Sequence, residues 1–371
     1  MRRFITSLAL LVLVLGLAGP ATGLPTVRDD GSVVTPPLLS TSATWTKSTS
    51  GSAIVWDAVA FAGSTCRLVQ LGGTDGYVRP TATNLFDPKT GTWTSVEKPR
   101  RGAWPSFRTL ARMAWDPIRQ RVILFGGRDA AGTPLNDTWA FDPVAKTWTA
   151  LVPTCNRGKT CPPAPPARYG HGMAWSSTLG KVVAFGGETS MTTFVADAWA
   201  FDGTSWTRLS TNAGPSGRAL FGMAEDAATG KIVVYGGAGA YAVGGGISLE
   251  PVRDTQTWIL DPKAATWTPV QTPTIPEMRA EMGMAYVATL GAVVMSTGGT
   301  VAGCQTWTNS TYAYDVAAKD WRKVTTSTPL PTARNAATLT ANLCDGSAIL
   351  TGGTHDNKMP ITLGDRTWIL R

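Results

Sequence analysis

The fold is decided by three segments and one tryptophan: Arg168-Tyr-Gly-His-Gly-Met-Ala-Trp175, Lys181-Val-Val-Ala-Phe-Gly-Gly187, Asp197-Ala-Trp-Ala-Phe-Asp202 and then Trp206. The aliphatic run before the Gly-Gly pair predicts a buried strand that glycine ends. The alternating apolar residues of the third segment predict another strand, and Trp206 opens one more. Together with the first segment, Arg168–Trp175, these elements predict four short strands in succession.

The same pattern recurs along the chain. The Gly-Gly pair that follows an apolar run occurs six times, at Gly72-Gly73, Gly126-Gly127, Gly186-Gly187, Gly236-Gly237, Gly298-Gly299 and Gly352-Gly353. A four-stranded unit of this size cannot bury both of its faces alone, and radial packing of such units solves that problem. The sequence therefore predicts an all-β, six-bladed propeller.

The two ends of the chain are predicted to meet in the last blade. The C-terminal unit ends on its third strand at Arg371, whereas an outer-strand pattern, Thr44-Trp-Thr-Lys47, stands near the N-terminus. We expect this N-terminal strand to complete the sixth blade. The chain holds 15 tryptophans, and a large ring on each sheet can fill the wedge between neighbouring blades.

The repeated string resembles the kelch repeat of β-propellers, on an inner-strand Arg, the Gly-Gly pair, Asn/Asp-x-Trp-x-Phe-Asp and a final Trp. The resemblance covers nearly all of residues 43–371. It implies that the innermost strands line a central channel. It also implies that the loops between second and third strands share one face with the loops that lead into each inner strand.

The N-terminus has the composition of a secretory signal. Met1-Arg2-Arg3 is followed by an apolar run too short to cross a bilayer and then by small residues up to Gly23. We predict a signal in residues 1–23, a linker in residues 24–42 and the propeller in residues 43–371. The expected location is secreted, periplasmic or extracellular, with no membrane span after cleavage.

Composition narrows the class of partner. An apolar fraction of 43% excludes disorder and supports a sizeable core. The formal charge of +8, of which the predicted signal supplies two, is mild, and Lys and Arg are scattered, so we do not expect nucleic-acid binding. We expect a monomer.

Five cysteines are present, at Cys66, Cys155, Cys161, Cys304 and Cys344. Export permits disulfides. Because Cys155 and Cys161 bracket a short loop, we predict a local bridge between them, while the sequence leaves the other three unconnected. No pair has metal-binding spacing, and we expect no metal and no cofactor.

The candidate ligand-binding residues begin with an arginine that recurs at the start of the inner strand, as Arg108, Arg168, Arg218, Arg279 and Arg334. Equivalent positions on successive blades place them in a ring near one channel mouth. The ring has two interpretations: each guanidinium binds loop carbonyls, or the ring docks an anion, since Arg presents a planar fork.

Four further residues are candidates on the same face. His171 replaces Ala111 of the previous repeat, His355 and Glu188 follow Gly-Gly pairs, and Tyr241 lies in the longest insertion, residues 238–254. Long loops over a scaffold often carry specificity. No catalytic pairing is visible, and the catalytic residues stay unassigned.

The predicted function is a binding module for an anionic glycan or an acidic protein segment at the Arg-ringed mouth, rather than an enzyme. Two alternatives remain open. The resemblance also includes carbohydrate-active enzymes, namely galactose-oxidase-like proteins and a sialic acid mutarotase. The other alternative is a cell-envelope scaffold that binds proteins.

Overall fold

The computed structural model describes residues 26–27, 33–34, 42–52, 54–152, 163–243, 246–300, 306–355 and 367–371. Two compact units are distinguished, Met1–Leu38 and Leu39–Arg371. In the first, the strands β1 (Thr26–Val27) and β2 (Val33–Val34) form an antiparallel pair. Within these described ranges no helix has the length and apolar character that crossing a membrane requires.

The second unit is a six-bladed all-β propeller, as predicted. Five blades are antiparallel sheets of four strands whose inner strand comes first in the chain. Blade 1 is β4 (Ala58–Ala62), β5 (Arg67–Leu71), β6 (Thr83–Asp87) and β7 (Thr92–Val96). Blade 2 is β8 (Arg112–Asp116), β9 (Arg121–Phe125), β10 (Thr138–Asp142) and β11 (Thr147–Val152).

Blades 3 and 4 each carry an extra hairpin after the second strand. Blade 3 is β12 (Gly172–Ser176), β13 (Lys181–Phe185), β16 (Ala198–Phe201) and β17 (Trp206–Leu209), with the hairpin β14 (Glu188–Ser190) and β15 (Thr193–Phe194). Blade 4 is β18 (Gly222–Asp226), β19 (Lys231–Tyr235), β22 (Thr257–Asp261) and β23 (Thr266–Val270), with the hairpin β20 (Ala238–Val243) and β21 (Gly246–Pro251). Blade 5 is β24 (Gly283–Val287), β25 (Ala292–Ser296), β26 (Thr311–Asp315) and β27 (Asp320–Lys323).

The predicted closure of the sixth blade is confirmed. Its strands are β29 (Asn335–Ala341), β30 (Ala348–Thr354), β31 (Trp368–Leu370) and the N-terminal β3 (Ser42–Lys47). Strand β3 runs antiparallel to β31, with Trp45 opposite Leu370. A fifth strand that the sequence did not predict, β28 (Thr325–Ser327), pairs parallel to β3 on the outside. The two chain ends thus share one sheet.

Outer-strand tryptophans fill the wedges between blades. Trp45, Trp206 and Trp321 are among the largest fully buried side chains. Several of these rings also donate a hydrogen bond to the threonine that opens the third strand of the preceding blade, as Trp206 Nε1 does to Thr138 Oγ1 at 2.9 Å. The outer-strand tryptophans therefore pack between neighbouring blades and link them.

One disulfide lies between the first and last blades. Cys66, in the β4–β5 turn, is bonded to Cys344, in the β29–β30 turn, with a Cα–Cα distance of 5.9 Å. The sequence left these two cysteines unconnected because they are 278 residues apart. The predicted pair Cys155 and Cys161 lies outside the described residues.

Candidate functional site

The arginine ring predicted to dock a ligand is buried inside the blades. The five guanidinium-bearing residues are 0–1% exposed. Each donates through Nη1 to the carbonyl of the residue 18 positions later, as Arg168 does to Gly186 at 2.9 Å. Each also donates through Nε to the carbonyl two positions earlier, as Arg168 does to Pro166 at 3.0 Å. These contacts correct the expected placement: the side chains lie beneath the surface and not at the channel mouth, and they bind loop carbonyls.

A carboxylate completes three of these arginine contacts. In blade 3, Arg168 binds both oxygens of Asp197, at 2.7 and 3.0 Å, and Trp199 Nε1 donates to the same carboxylate at 2.6 Å. Blades 2 and 4 repeat the set with Asp137 and Asp254. Burial raises the pKa of Asp197, but the bonds from Arg168 and Trp199 outweigh it and hold the pKa below its ordinary value. In blades 2 and 3 the bracing carboxylate belongs to an Asp-x-Trp motif, whereas in blade 4 Trp258 stands four residues after Asp254.

Blades 5 and 6 hold their arginine differently. Arg279 pairs with Glu277 and donates to Ser310 Oγ at 2.8 Å, while Arg334 donates to Thr332 Oγ1 at 2.7 Å. In each of the five blades that carry it, the arginine binds the loop next to it, which is a structural role.

Backbone hydrogen bonds form a collar at the same end of the channel. Its six members stand two positions after the ring arginine, or after Ile54 in blade 1, and all have a positive φ of 53–63°: Trp56, Leu110, Gly170, Leu220, Glu281 and Ala336. The N–H of each of the last five donates to the carbonyl of the member before it, over 2.7–3.0 Å. Non-glycine residues rarely adopt this backbone conformation, and the five hydrogen bonds of the collar help to hold it.

The central channel contains a cavity of about 580 Å³. Four methionines at one repeat position line it, namely Met113, Met173, Met223 and Met284. Its lining extends from the collar to the hairpin turns of the opposite face, where Trp115, Trp175 and Tyr286 surround the mouth. We call this opposite face the lower face, and the face with the longer loops the upper face. The channel is therefore mostly apolar and opens at the lower face.

Polar groups gather at the collar end of the channel. Trp56 Nε1 and Asn335 Nδ2 donate to the two oxygens of Glu281, at 3.1 and 2.7 Å. Burial raises the pKa of Glu281, and burial also raises the pKa of Asp57 to about 6. Arg112 stands at the same end, and its pKa is lowered by burial and raised back in part by Asp57 and Glu281.

The repeat pattern did not lead to Trp56, Asp57 or Arg112 as candidates among these channel residues. Arg112 occupies the position at which Gly172, Gly222 and Gly283 stand in other repeats, and Trp56 occupies the position of Leu110 and Leu220. Departure from the repeat was the available signal, since a residue that the scaffold does not require is free to serve a site.

The remaining candidates do not form one cluster. His171 is buried and has no hydrogen-bond partner among the described residues, and its ring packs edge-on against Phe125 at 5.3 Å. Burial, and then the charges of Arg112 and Arg168, hold the pKa of His171 well below its ordinary value. Both features fit a core residue between blades.

The other three residues lie above the collar or beyond what is described. Glu188 is 3% exposed, and burial raises its pKa against the hydrogen bond from Tyr169 and the charge of Arg128. His355 is half-buried at the end of the described part of its loop. Tyr241 lies in β20, opposite Ser248, and its side chain is outside the described part.

Three loops of the upper face, β5–β6, β7–β8 and β9–β10, carry cations and aromatic rings that we call the basic-aromatic patch: Tyr77, Arg79, Arg101, Phe107 and Arg128. The guanidinium of Arg79 lies 5.7 Å from the centre of the Phe107 ring. Two residues further on, Thr109 Oγ1 accepts from Arg128 Nε at 3.3 Å, and the Arg128 guanidinium lies 5.3 Å from the Tyr169 ring. Tyr77 is 69% exposed, and Arg79 and Arg101 are exposed as well.

A closed propeller with a braced upper face and a lined channel defines a binding scaffold of the kelch class. A family model described as the KLHDC2/KLHL20/DRC7 Kelch-repeats domain matches residues 154–353, and a Kelch motif model matches residues 118–153. The first match covers more than half of the chain, so the chain belongs to the kelch-repeat family. Propellers of this family generally act as protein-binding modules. No curated protein matches the chain.

Proposed function

We propose that this kelch propeller docks an acidic segment of a partner protein on the basic-aromatic patch. The observation that carries the proposal is the pair of cation–ring contacts, Arg79 on Phe107 and Arg128 on Tyr169. A guanidinium that lies over a ring is held in position, so less side-chain entropy is lost when a carboxylate binds its fork. The predicted anionic ligand is thereby assigned to surface arginines in place of the buried ring.

The apolar part of the patch suits a peptide. Tyr77 and the neighbouring Val78, which is 55% exposed, project from the loop that carries Arg79. Exposed aromatic residues and arginines are the side chains that most often dominate protein interfaces. An acidic segment that also bears apolar side chains would use both parts of the patch.

Two carboxylates in the same loops form no salt bridge with these cations among the described residues and are bonded to their own turns. Asp75 Oδ1 accepts the backbone N–H groups of Tyr77 and Val78, at 2.8 and 2.6 Å. Asp129 Oδ1 likewise accepts from Ala131 and Thr133 within its own turn. Both carboxylates are directed into their turns, whereas Arg79 and Arg101 face solvent.

Charge reversal on the patch tests the proposal. We expect the Arg79→Glu, Arg101→Glu variant to bind a fluorescein-labelled peptide of alternating Glu and Phe at least about tenfold more weakly than the unaltered protein, measured by fluorescence anisotropy. The matched control is Lys89→Glu, an exposed cation in the β6–β7 turn of the lower face, which should leave the affinity unchanged.

Two further results decide between ligands. A peptide with Lys in place of Glu should not bind. Equal affinity of the reversed and unaltered proteins for the Glu peptide would contradict the proposal. Binding of heparin at this patch with no binding of the Glu peptide would replace the protein ligand by an anionic glycan.

A further inference from the structure

The channel holds a guanidinium that is not matched by protein acceptors. Among the described residues, the only hydrogen bond from the Arg112 side chain goes from Nη1 to the carbonyl of Ala111, at 3.3 Å. No carboxylate in this part of the chain approaches it closely enough for a salt bridge, although Asp57 and Glu281 act on it electrostatically. Among the described residues, the other N–H groups of this fork therefore have no protein partner.

This arrangement differs from that of the five buried ring arginines. The ring arginines are satisfied by carbonyls and by carboxylates or hydroxyl groups of their own loops. An arginine in a poorly solvated site without such partners is costly, and a bound anion would compensate its charge. The planar fork of Arg112 suits a carboxylate, which can accept two parallel hydrogen bonds.

The residues that line the channel determine what kind of molecular body can accompany the carboxylate. Between Arg112 and the mouth, the cavity is bounded by the four methionines and by Trp115, Trp175 and Tyr286. Thioether side chains adapt to apolar shapes and contact aromatic rings favourably. A volume of about 580 Å³ falls within the range of small-molecule sites.

We propose that the channel binds a small monocarboxylate with an aromatic or aliphatic body, whose carboxylate pairs with Arg112 at the collar end while its body packs against the methionine wall. The ligand enters from the lower face. This site is separate from the basic-aromatic patch, so either proposal can fail without the other.

The charged and titratable groups around Arg112 come from several blades. Asp57 belongs to blade 1, His171 to blade 3 and Glu281 to blade 5. A bound carboxylate is repelled by Asp57 and Glu281 in their ionised forms. Binding therefore favours their protonated forms, and we expect tighter binding as the pH falls from about 7.5 to about 5.5.

The test uses two naphthalene compounds of the same shape and isothermal titration calorimetry. We expect 2-naphthoate to bind the full chain at least about tenfold more tightly than the neutral 2-naphthalenemethanol. Arg112→Gln should remove this difference and leave the alcohol unaffected, whereas Arg112→Lys, which keeps the charge without the fork, should retain part of it. Arg208→Gln, at an exposed position of the outer strand β17, should bind naphthoate like the unaltered protein.

Ala341→Phe provides a variant that leaves Arg112 in place. Ala341 is half-buried in the channel lining near the mouth, and a larger side chain there should weaken both compounds equally. Equal binding of the two compounds by the unaltered protein, binding of neither, or unchanged naphthoate affinity in a folded Arg112→Gln variant would each overturn the proposal. Tighter binding of a sugar acid than of naphthoate would overturn the apolar part.

Discussion

Asp57 shows how one buried carboxylate links the channel to the stability of the fold. It is 2% exposed, and its Oδ2 accepts a hydrogen bond from Gln70 Nε2 at 2.5 Å, while its Oδ1 has no partner in the described protein. Burial raises its pKa to about 6, above the value of 3.8 expected without burial. The protonated form is therefore the one that the fold favours.

The direction of the pH effect follows from this shift. A carboxyl group whose pKa is raised on folding contributes stability that is complete below its unfolded pKa and is lost as the pH rises through its folded pKa. Between pH values of about 4 and 6, we expect the free energy of unfolding of the unaltered protein to fall by up to about 3 kcal/mol relative to that of the Asp57→Asn variant. Urea unfolding at both pH values measures the difference, with the exposed Glu97→Gln as control. Parallel pH profiles of unaltered protein and variant would contradict the assignment.

At the scale of the strand, the hydrogen bond from the outer-strand tryptophan to the third-strand threonine recurs around the propeller, and among the described residues it is missing at Trp45 and Trp267. Trp148 donates to Thr83 at 2.8 Å, and Trp321 donates to Thr257 at 2.7 Å. In blade 4, Trp267 Nε1 is buried and has no hydrogen-bond partner in the part of the chain that the structure describes. The equivalent position in the preceding blade is Ala198, the first residue of β16.

Ala198→Thr should supply the missing acceptor. Because a satisfied buried N–H stabilises by about 1 kcal/mol, we expect this variant to unfold at a higher urea concentration than the matched variant Ala198→Val. Valine has the same shape without the hydroxyl group, so the comparison removes the cost of the added volume. Equal midpoints for the two variants would show that Trp267 does not use the new hydroxyl.

The strands were predictable because their signals are local, whereas the chemistry of the site depends on contacts across blades. Apolar alternation and glycine breaks located the blades. In blade 5, however, the turn follows Thr297-Gly298 and not Gly298-Gly299: Thr297 has a φ of 67°, and Gly298 N–H donates to Arg334 O at 2.8 Å. In blade 5, Thr297 and Gly298 therefore take the places of the two glycines, so the predicted pair Gly298-Gly299 lies one position too far along the chain.

The arginine ring and the channel show the same limit at the level of function. Recurrence of Arg168 at equivalent positions indicated a common location, but only the coordinates reveal that Asp197 neutralises it. Conversely, Arg112 stands alone in the repeat and was passed over. Arg168, which recurs in the repeat, has a structural role within its blade. Arg112, which departs from the repeat, lines the cavity.

At the scale of the whole molecule, the ring is closed at two distances from its axis. Strand β3 closes the outer part of blade 6, where Thr44 and Arg371 exchange two backbone hydrogen bonds of 2.8 and 3.0 Å. The disulfide Cys66–Cys344 links the inner hairpins of blades 1 and 6 on the lower face. A cross-link between positions so far apart in the chain stabilises mainly by restricting the unfolded state.

Removal of β3 should therefore loosen the ring without freeing blade 6 from blade 1. We expect a chain of residues 49–371 to be less stable than a chain of residues 39–371 by at least about 3 kcal/mol, since it loses the wedge of Trp45, which is 1% exposed, as well as the pairing with β31. Reduction of the disulfide should destabilise the shorter chain further. Added peptide of residues 39–48 should restore stability, and the same peptide with Trp45→Ala should not. Equal urea midpoints for the two chains would show that the sixth blade does not need its N-terminal strand.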